Sequence, residues 1–183
     1  MKVTIQSCAE GTGQSTVRPV RRIITGENAE GRSIITSDGP TPNVFVADHS
    51  PLVAQVIWAT GEGAAQGEDP APAGHQFGFH SDKGTILRIV DFPADASYDL
   101  EKVGKFLDEE HVRDQGTPRH FWFHKTPSLD YAICMEGEIY AMLDEGEALM
   151  RPGDVLIQRA TNHSWSNRSG KNCRMAFVLI AED

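Results

Sequence analysis

The chain has 183 residues and a formal net charge of −9, from 17 Lys and Arg residues against 26 Asp and Glu residues. This acidic balance argues against binding to a nucleic-acid backbone, which needs a basic footprint. No apolar run approaches the ~18 residues of a membrane span, and the N-terminus lacks a secretory signal. Three scattered cysteines indicate neither a disulfide framework nor a cysteine zinc site. We therefore expect a cytoplasmic protein without nucleic-acid or membrane partners.

The length predicts one domain with a sizeable core. Residues 1–16 are small and polar, and we expect them to form a flexible N-terminal segment ahead of a single domain at 17–183. Strand-like runs at 17–25 and 33–36 open this domain. Residues 60–74 are rich in Gly, Ala, Pro and acidic side chains, which predicts a long loop.

A strand is predicted at residues 85–92, ended by Pro93. Arg88 shares one face of this strand with Ile86 and Val90. Two structural roles are open to Arg88: an interior ion pair, or an aliphatic stem packed in the core with the guanidinium in water. The functional alternative is that Arg88 binds an anionic group of the substrate, because a planar guanidinium suits a carboxylate or phenolate.

The one strong helical pattern covers residues 98–113, where Leu100, Val103 and Leu107 recur at helical spacing. Asp99 is a candidate N-cap. We expect this helix to cover the mouth of a pocket.

The rest of the chain is predicted to be almost entirely strand. Short apolar runs alternate with Gly, Pro and Asp turns, which is typical of an antiparallel barrel or sandwich. Residues 131–135 and 138–143 are predicted to pair across a turn at Glu136 and Gly137.

Histidine and tryptophan side chains alternate along two of these segments. In a strand, residues two apart share a face. His120, Trp122 and His124 are therefore predicted to point one way, and His163 and Trp165 to share another inward face. The imidazoles and indoles would then meet in one pocket.

Asp130 begins the next predicted strand and shares a face with Cys134. His124, His163 and Asp130 form a candidate ligand set for one divalent metal ion, with Zn, Fe, Mn and Ni all left open. The alternative is a metal-free pocket in which the two histidines bond to neighbouring groups.

The first of these segments resembles the first motif of the cupin superfamily, G-x5-H-x-H-x(3,4)-E-x6-G. The chain has Gly116, five residues, Trp122, one residue, His124, five residues, Asp130, six residues and Gly137. Trp122 thus stands at the first histidine and Asp130 at the glutamate, so the metal motif is degenerate.

The second segment resembles the second cupin motif, G-x(5–7)-P-x-G-x2-H-x3-N. Here Gly153 is followed by four residues, Gln158, one residue, Ala160, two residues, His163, three residues and Asn167. Gln158 and Ala160 replace the proline and the glycine of the motif.

The resemblance covers residues 84–181 and is closest to small single-domain, cupin-2-like proteins. It implies an all-β fold: a single cupin jelly-roll barrel with one short helix before the first motif and an N-terminal strand extension. It also implies a homodimer and a site inside the barrel.

The resemblance implies an enzyme acting on a small molecule. We expect a lyase, decarboxylase or isomerase for an aromatic or polyketide-like carboxylic or enolic substrate. An iron-dependent dioxygenase and a non-catalytic small-molecule binding protein are the alternatives. The predicted catalytic residues are His124, His163, Asp130 and Arg88. The predicted substrate-binding residues are Trp122, Trp165, His120, Cys134 and Gln158.

Overall fold

The computed structural model describes residues 17–116 and 118–182, so the predicted flexible segment at residues 1–16 lies outside the described residues. The described chain is mostly β-structure with a single α-helix. The predicted all-β fold, with a helix before the first motif and an N-terminal strand extension, is confirmed. Within the described ranges, no helix has the length and apolar character needed to cross a membrane.

Eleven strands, one α-helix and two short 3-10 helices follow one another along these residues. The strands are β1 (Arg21–Glu27), β2 (Ser33–Pro40), β3 (Asn43–Val46), β4 (Val53–Ala59), β5 (Thr85–Phe92), β6 (Ser128–Glu136), β7 (Ile139–Leu143), β8 (Glu147–Met150), β9 (Val155–Arg159), β10 (His163–Ser166) and β11 (Cys173–Ala181). The helix α1 is Leu100–Glu109, and the 3-10 helices are Gly61–Gly63 and Asp95–Ser97.

The strands form three antiparallel sheets. The largest has six strands in the order β3-β4-β5-β11-β6-β9, a second has the order β10-β7-β8, and β1 and β2 pair as a separate ribbon. The core includes apolar side chains from both larger sheets. Trp165 on β10, for example, meets Phe177 on β11 with ring centroids 5.3 Å apart.

The turn at Glu136 and Gly137 does not close the hairpin that its sequence predicts. Strand β6 pairs with β9 and β11, whereas β7 pairs with β8 and β10. The turn therefore carries the chain from one sheet to the other. Gly137 has a φ of 78°, and a Cβ there would lie 2.7 Å from the carbonyl oxygen of Asn172, so only glycine fits this crossing.

Helix α1 is shorter than its sequence pattern predicts. Asp99 caps its start by accepting a hydrogen bond from the backbone N–H of Lys102 at 3.2 Å. The helix ends at Glu109, four residues before the predicted end, and His111 has a φ of 57°. This left-handed residue turns the chain away from the helix axis.

A buried carboxylate ties the N-terminal extension to the large sheet. Asp91 on β5 is 3% exposed and accepts two hydrogen bonds from Arg174 on β11, at 2.8 and 2.6 Å. Arg18 reaches the same carboxylate at 2.9 Å. Removing a buried, paired charge is costly because its partners remain buried. Asp91 therefore fixes where the extension joins the domain.

Ala160 has a φ of 50°, in the left-handed region, at the position where the second motif has glycine. An L-residue there carries a backbone penalty of roughly 1–2 kcal/mol. We expect Ala160→Gly to raise the free energy of unfolding by about 0.5–1 kcal/mol, after allowance for the added flexibility of glycine in the unfolded chain. Urea denaturation measures this change.

The matched control is Ala148→Gly in strand β8, a sheet position where glycine lowers stability by about 0.5–1 kcal/mol. An equal loss of stability in both variants would show that Ala160 is not strained.

Candidate active site

A cavity of about 200 Å³ lies between the six-stranded sheet and β10. Its apolar wall includes Leu52, Val56, Val90, Phe92, Phe177 and Leu179. Its polar groups include Arg88, Glu110, His124, Thr126, Asp130 and His163. Few polar groups in a largely apolar concave site are typical of a small-molecule pocket.

His124 and His163 are joined through their backbones. The N–H of His124 donates to the carbonyl oxygen of His163 at 2.9 Å, and the N–H of His163 donates back at 3.0 Å. This isolated antiparallel bridge connects the segment before β6 to the start of β10. It holds the two imidazole rings 4.3 Å apart, centroid to centroid, on the cavity wall.

Backbone carbonyls fix the tautomer of both rings. Nδ1 of His124 lies 2.6 Å from the carbonyl oxygen of Trp122, and Nδ1 of His163 lies 3.0 Å from that of Thr161. A carbonyl oxygen only accepts, so each Nδ1 must carry the proton. In a neutral ring, Nε2 is then left as a lone-pair acceptor.

Both histidines are held in the neutral form. Burial and, to a smaller extent, the neighbouring His163 together lower the pKa of His124 to about 3, against the carbonyl of Trp122. Burial also lowers the pKa of His163, where no such effect from the partner ring is resolved. The pair thus offers two uncharged imidazoles to a ligand.

Two indoles stand beside the histidine pair. Trp122 and Trp165 both line the cavity and are each 5% exposed. Trp165 meets the ring of His163 edge-on at 5.8 Å, as expected for neighbours on one face of β10. The indoles give this end of the cavity flat apolar walls, which suit an aromatic or conjugated ligand.

Arg88 and Asp130 face the cavity from β5 and β6. One Nη of Arg88 donates to the carbonyl oxygen of Gly78 at 2.6 Å. Arg88 forms no ion pair with any residue that the structure describes. Burial lowers its pKa to about 10, and Glu110 and Asp130 oppose that change. The remaining guanidinium donors are therefore available to a ligand oxygen.

Asp130 is 5% exposed, and its Oδ1 has no hydrogen-bond partner among residues 17–116 and 118–182. Burial raises the pKa of Asp130, against the effects of Ser128, Arg88 and His80. An unpartnered buried oxygen on the wall of a cavity is a natural contact point for a ligand donor.

The predicted shared face of His120, Trp122 and His124 is wrong for His120, whereas Trp122 and His124 both line the cavity. These residues do not form a strand, because a turn places the N–H of Phe123 3.4 Å from the carbonyl oxygen of His120. The alternation of strand side chains therefore fails. His120 lies outside the cavity lining, with Nδ1 2.6 Å from the hydroxyl of Ser164 and Nε2 3.2 Å from a carboxylate oxygen of Asp95.

Cys134 and Gln158 also lie outside the cavity lining, contrary to the prediction that they contact substrate. Cys134 does share the buried face of β6 with Asp130, but its thiol lies 3.8 Å from the carbonyl oxygen of Gly137 at the far end of the strand. Gln158 uses its amide to bind Thr161, including its hydroxyl at 2.7 Å. Gln158 thus shapes the turn before His163.

The described residues meet part of what a metal site needs. Donation of Nδ1–H to a carbonyl is the usual support of a metal-bound histidine. However, no three His, Cys, Asp or Glu side chains within the described ranges are grouped to hold an ion, so Asp130 does not join the two histidines as a third ligand. Asp130 projects from β6, while the histidines meet on the β10 side. The fit to a metal centre is therefore incomplete.

Several cavity residues have no sequence signal of their own. Phe79, which follows the predicted loop at 60–74, packs edge-on against His124 at 5.0 Å, and Phe106 of α1 lies 5.6 Å from Phe79. Val44 and Phe45 of the short strand β3 complete the wall. The helix therefore does border the cavity, as its place before the first motif suggests.

Comparison with known proteins identifies fungal relatives along nearly the whole chain. The cupin-domain-containing oxidoreductase fogC of Aspergillus ruber is 29% identical over 181 residues, which cover 93% of this chain and 78% of the relative. The corresponding oxidoreductase virC of Hypocrea virens is 28% identical over 180 residues, covering 90% and 77%. No protein-family model matches the chain.

A third relative, phomopsin biosynthesis cluster protein C′ of Diaporthe leptostromiformis, is 32% identical over 169 residues, covering 90% of this chain and 79% of the relative. Together with the two motif segments, these similarities support an enzyme that acts on a small molecule. The chain belongs to the cupin superfamily, in the family that includes these fungal proteins.

Proposed function

We propose that the chain is a small-molecule enzyme that moves protons at the His124–His163 pair, with lyase, decarboxylase or isomerase chemistry on an aromatic or polyketide-like carboxylic or enolic substrate. The observation that carries the proposal is the pair itself: two buried, neutral imidazoles with their Nδ1 atoms tied to carbonyls, on the wall of an apolar cavity. Each Nε2 is a proton acceptor fixed in place before a ligand arrives.

His163 is the proposed general base. Burial disfavours an imidazolium at either ring. Negative charge that develops on a substrate during proton abstraction offsets this penalty, so protonation of His163 and formation of an enolate stabilise each other. His124 remains neutral and accepts a hydrogen bond from the substrate.

Arg88 is the proposed anchor for the substrate oxygen that carries the charge. Its guanidinium lines the same cavity, and only the hydrogen bond to the carbonyl of Gly78 engages it among the described residues. A guanidinium offers up to five donors in a planar fork, which fits a carboxylate or an enolate. Asp130, with its raised pKa, is the candidate proton carrier on the opposite sheet.

The second candidate is oxidoreductase chemistry, because two of the relatives are named cupin-domain-containing oxidoreductases. Its specific form would be an iron-dependent dioxygenase. A bound divalent metal would polarise a substrate oxygen or activate dioxygen, and the Nε2 atoms of His124 and His163 would hold it. The described residues supply no third ligand, so no step is assigned to a metal here. The metal and the homodimer stay predictions.

Elemental analysis of protein purified without a metal-affinity tag separates the two candidates. The proton-transfer proposal predicts activity that survives chelation. Stoichiometric iron together with oxygen uptake on substrate addition would favour the dioxygenase instead. Tight ligand binding without turnover across aromatic and 1,3-dicarbonyl acids would favour a non-catalytic binding protein.

Replacing His163 with Ala should lower kcat by about 10²–10⁴-fold, because a positioned acid or base contributes that much to a proton transfer. The direct measurement is exchange of the acidic C–H of a 1,3-dicarbonyl acid in D2O, followed by NMR. His111→Asn is the control, since His111 is exposed and its φ of 57° suits asparagine. Normal exchange in His163→Ala would rule out the proposal.

The neutral state of His124 makes folding pH-dependent. The unfolded histidine binds a proton below its ordinary pKa of 6.5, whereas the folded one does so only near 3. The contribution of His124 to the free energy of unfolding is therefore fully present above pH ~6.5 and decreases as the pH falls below that value. At pH ~5 the decrease is about 2 kcal/mol. The variant His124→Asn retains a donor for the Trp122 carbonyl but cannot titrate at this position. Between pH ~7.5 and ~5 its free energy of unfolding should therefore fall by about 2 kcal/mol less than that of the unsubstituted protein.

Urea unfolding at several pH values measures this difference, again with His111→Asn as the control. An unchanged pH dependence in His124→Asn would mean that His124 titrates normally in the folded protein.

A further inference from the structure

Exposure varies along the cavity wall and distinguishes an inner end from a mouth. The side chains of His124, His163 and Trp165 are 5–6% exposed. Val44 and Phe45 line the same cavity but are 39% and 40% exposed. The two imidazoles and Trp165 therefore lie at the closed end, and a ligand reaches them past β3.

The mouth is apolar on the β3 side and continues onto the surface. Strand β3 is an edge strand of the six-stranded sheet, and Val46, just beyond Phe45, is 47% exposed. Phe45 is stacked on Phe106 of α1 with ring centroids 6.2 Å apart, so it forms a fixed platform. An apolar strip continuous with an apolar cavity indicates a binding surface, unlike single exposed apolar residues.

The charges favour one orientation of an anionic ligand. Arg88 is the one Lys or Arg among the described residues that line the cavity, and it stands on the central strand β5. Glu110, which directly follows α1, also borders the cavity and repels an anion on the helix side. Asp130 also lines the cavity, but burial raises its pKa and favours its neutral form. A carboxylate or enolate is therefore drawn to Arg88, which leaves the apolar part of the molecule at the mouth.

Resting on the proposed function, we infer that the substrate is an amphiphile that binds head-inward. Its carboxylate or enolate lies at Arg88 and the two imidazoles, and an apolar tail leaves through the mouth over Val44 and Phe45. The tail extends beyond the cavity, so the enzyme takes molecules longer than the cavity itself.

Isothermal titration of the full chain with 4-methylbenzoate and 4-octylbenzoate tests this orientation. Burial of one methylene is worth about 0.8 kcal/mol, or about fourfold in affinity, so partial burial of the longer tail should tighten binding by at least about tenfold. Val44→Ser should lower the affinity for 4-octylbenzoate by about threefold or more and change the affinity for 4-methylbenzoate by less than about twofold.

Val155→Ser is the matched control, because Val155 is 57% exposed on β9 and does not line the cavity. Circular dichroism checks that each variant folds. Equal affinity for the two benzoates, or the same loss of 4-octylbenzoate binding in Val44→Ser and Val155→Ser, overturns the inference.

Arg88→Met distinguishes this inference from the proposed function. If 4-methylbenzoate binding depends on Arg88 but the octyl chain adds no affinity, the inference about the tail is wrong and the proposed anion anchor stands. Failure of both benzoates to bind overturns the anion anchor and the orientation together.

Discussion

The structure of the site depends on one backbone bridge. Two hydrogen bonds between His124 and His163 join a segment outside any strand to the first residue of β10. The segment of His124 also pairs with Arg113, through the N–H of Lys125 to the carbonyl oxygen of Val112 at 3.1 Å. The bridge to His163 is what joins this segment to β10 and brings the two imidazoles together. Each ring is then locked by a carbonyl from its own segment, at Trp122 or Thr161. Backbone geometry thus supplies the preorganisation that catalytic groups need.

Charge is divided between the two walls of the cavity. The β10 side presents imidazoles that burial keeps neutral, while the six-stranded sheet presents Arg88 and Asp130. A ligand between the walls meets lone pairs on one side and guanidinium donors on the other. This arrangement suits chemistry in which a proton leaves carbon while an oxygen gains negative charge.

Much of this arrangement could be predicted from the alternation of side chains along a strand, provided that the predicted strand is present in the structure. His163 and Trp165 share the cavity face because β10 is a regular strand, and Arg88 faces inward with Val90 on β5 for the same reason. Alternation does not predict the position of His120, because a turn interrupts the extended backbone between His120 and His124. Cys134 lies on the correct face of β6 but too far along it, since alternation gives direction and not depth.

Other features depend on contacts that no local pattern encodes. The Glu136–Gly137 turn has ordinary hairpin chemistry, yet the pairing of β6 and β7 with distant strands decides its role. Loop residue Phe79 covers His124 only because the chain folds back over the cavity. The motif segments in the sequence predict the residues at the closed end of the cavity. The mouth is formed by β3, a loop and a helix from elsewhere in the chain, which the motifs do not predict.

This separation has an evolutionary consequence. The groups proposed to do chemistry stand on interior strands of the large sheet or on the two segments joined by the His124–His163 bridge, where a substitution disturbs many neighbours. The β3 edge that borders the mouth has one paired side and exposed side chains, so it tolerates change. Descendants of such a protein can acquire new substrates by altering β3 alone, and retain an inherited reaction while the molecules they process diverge.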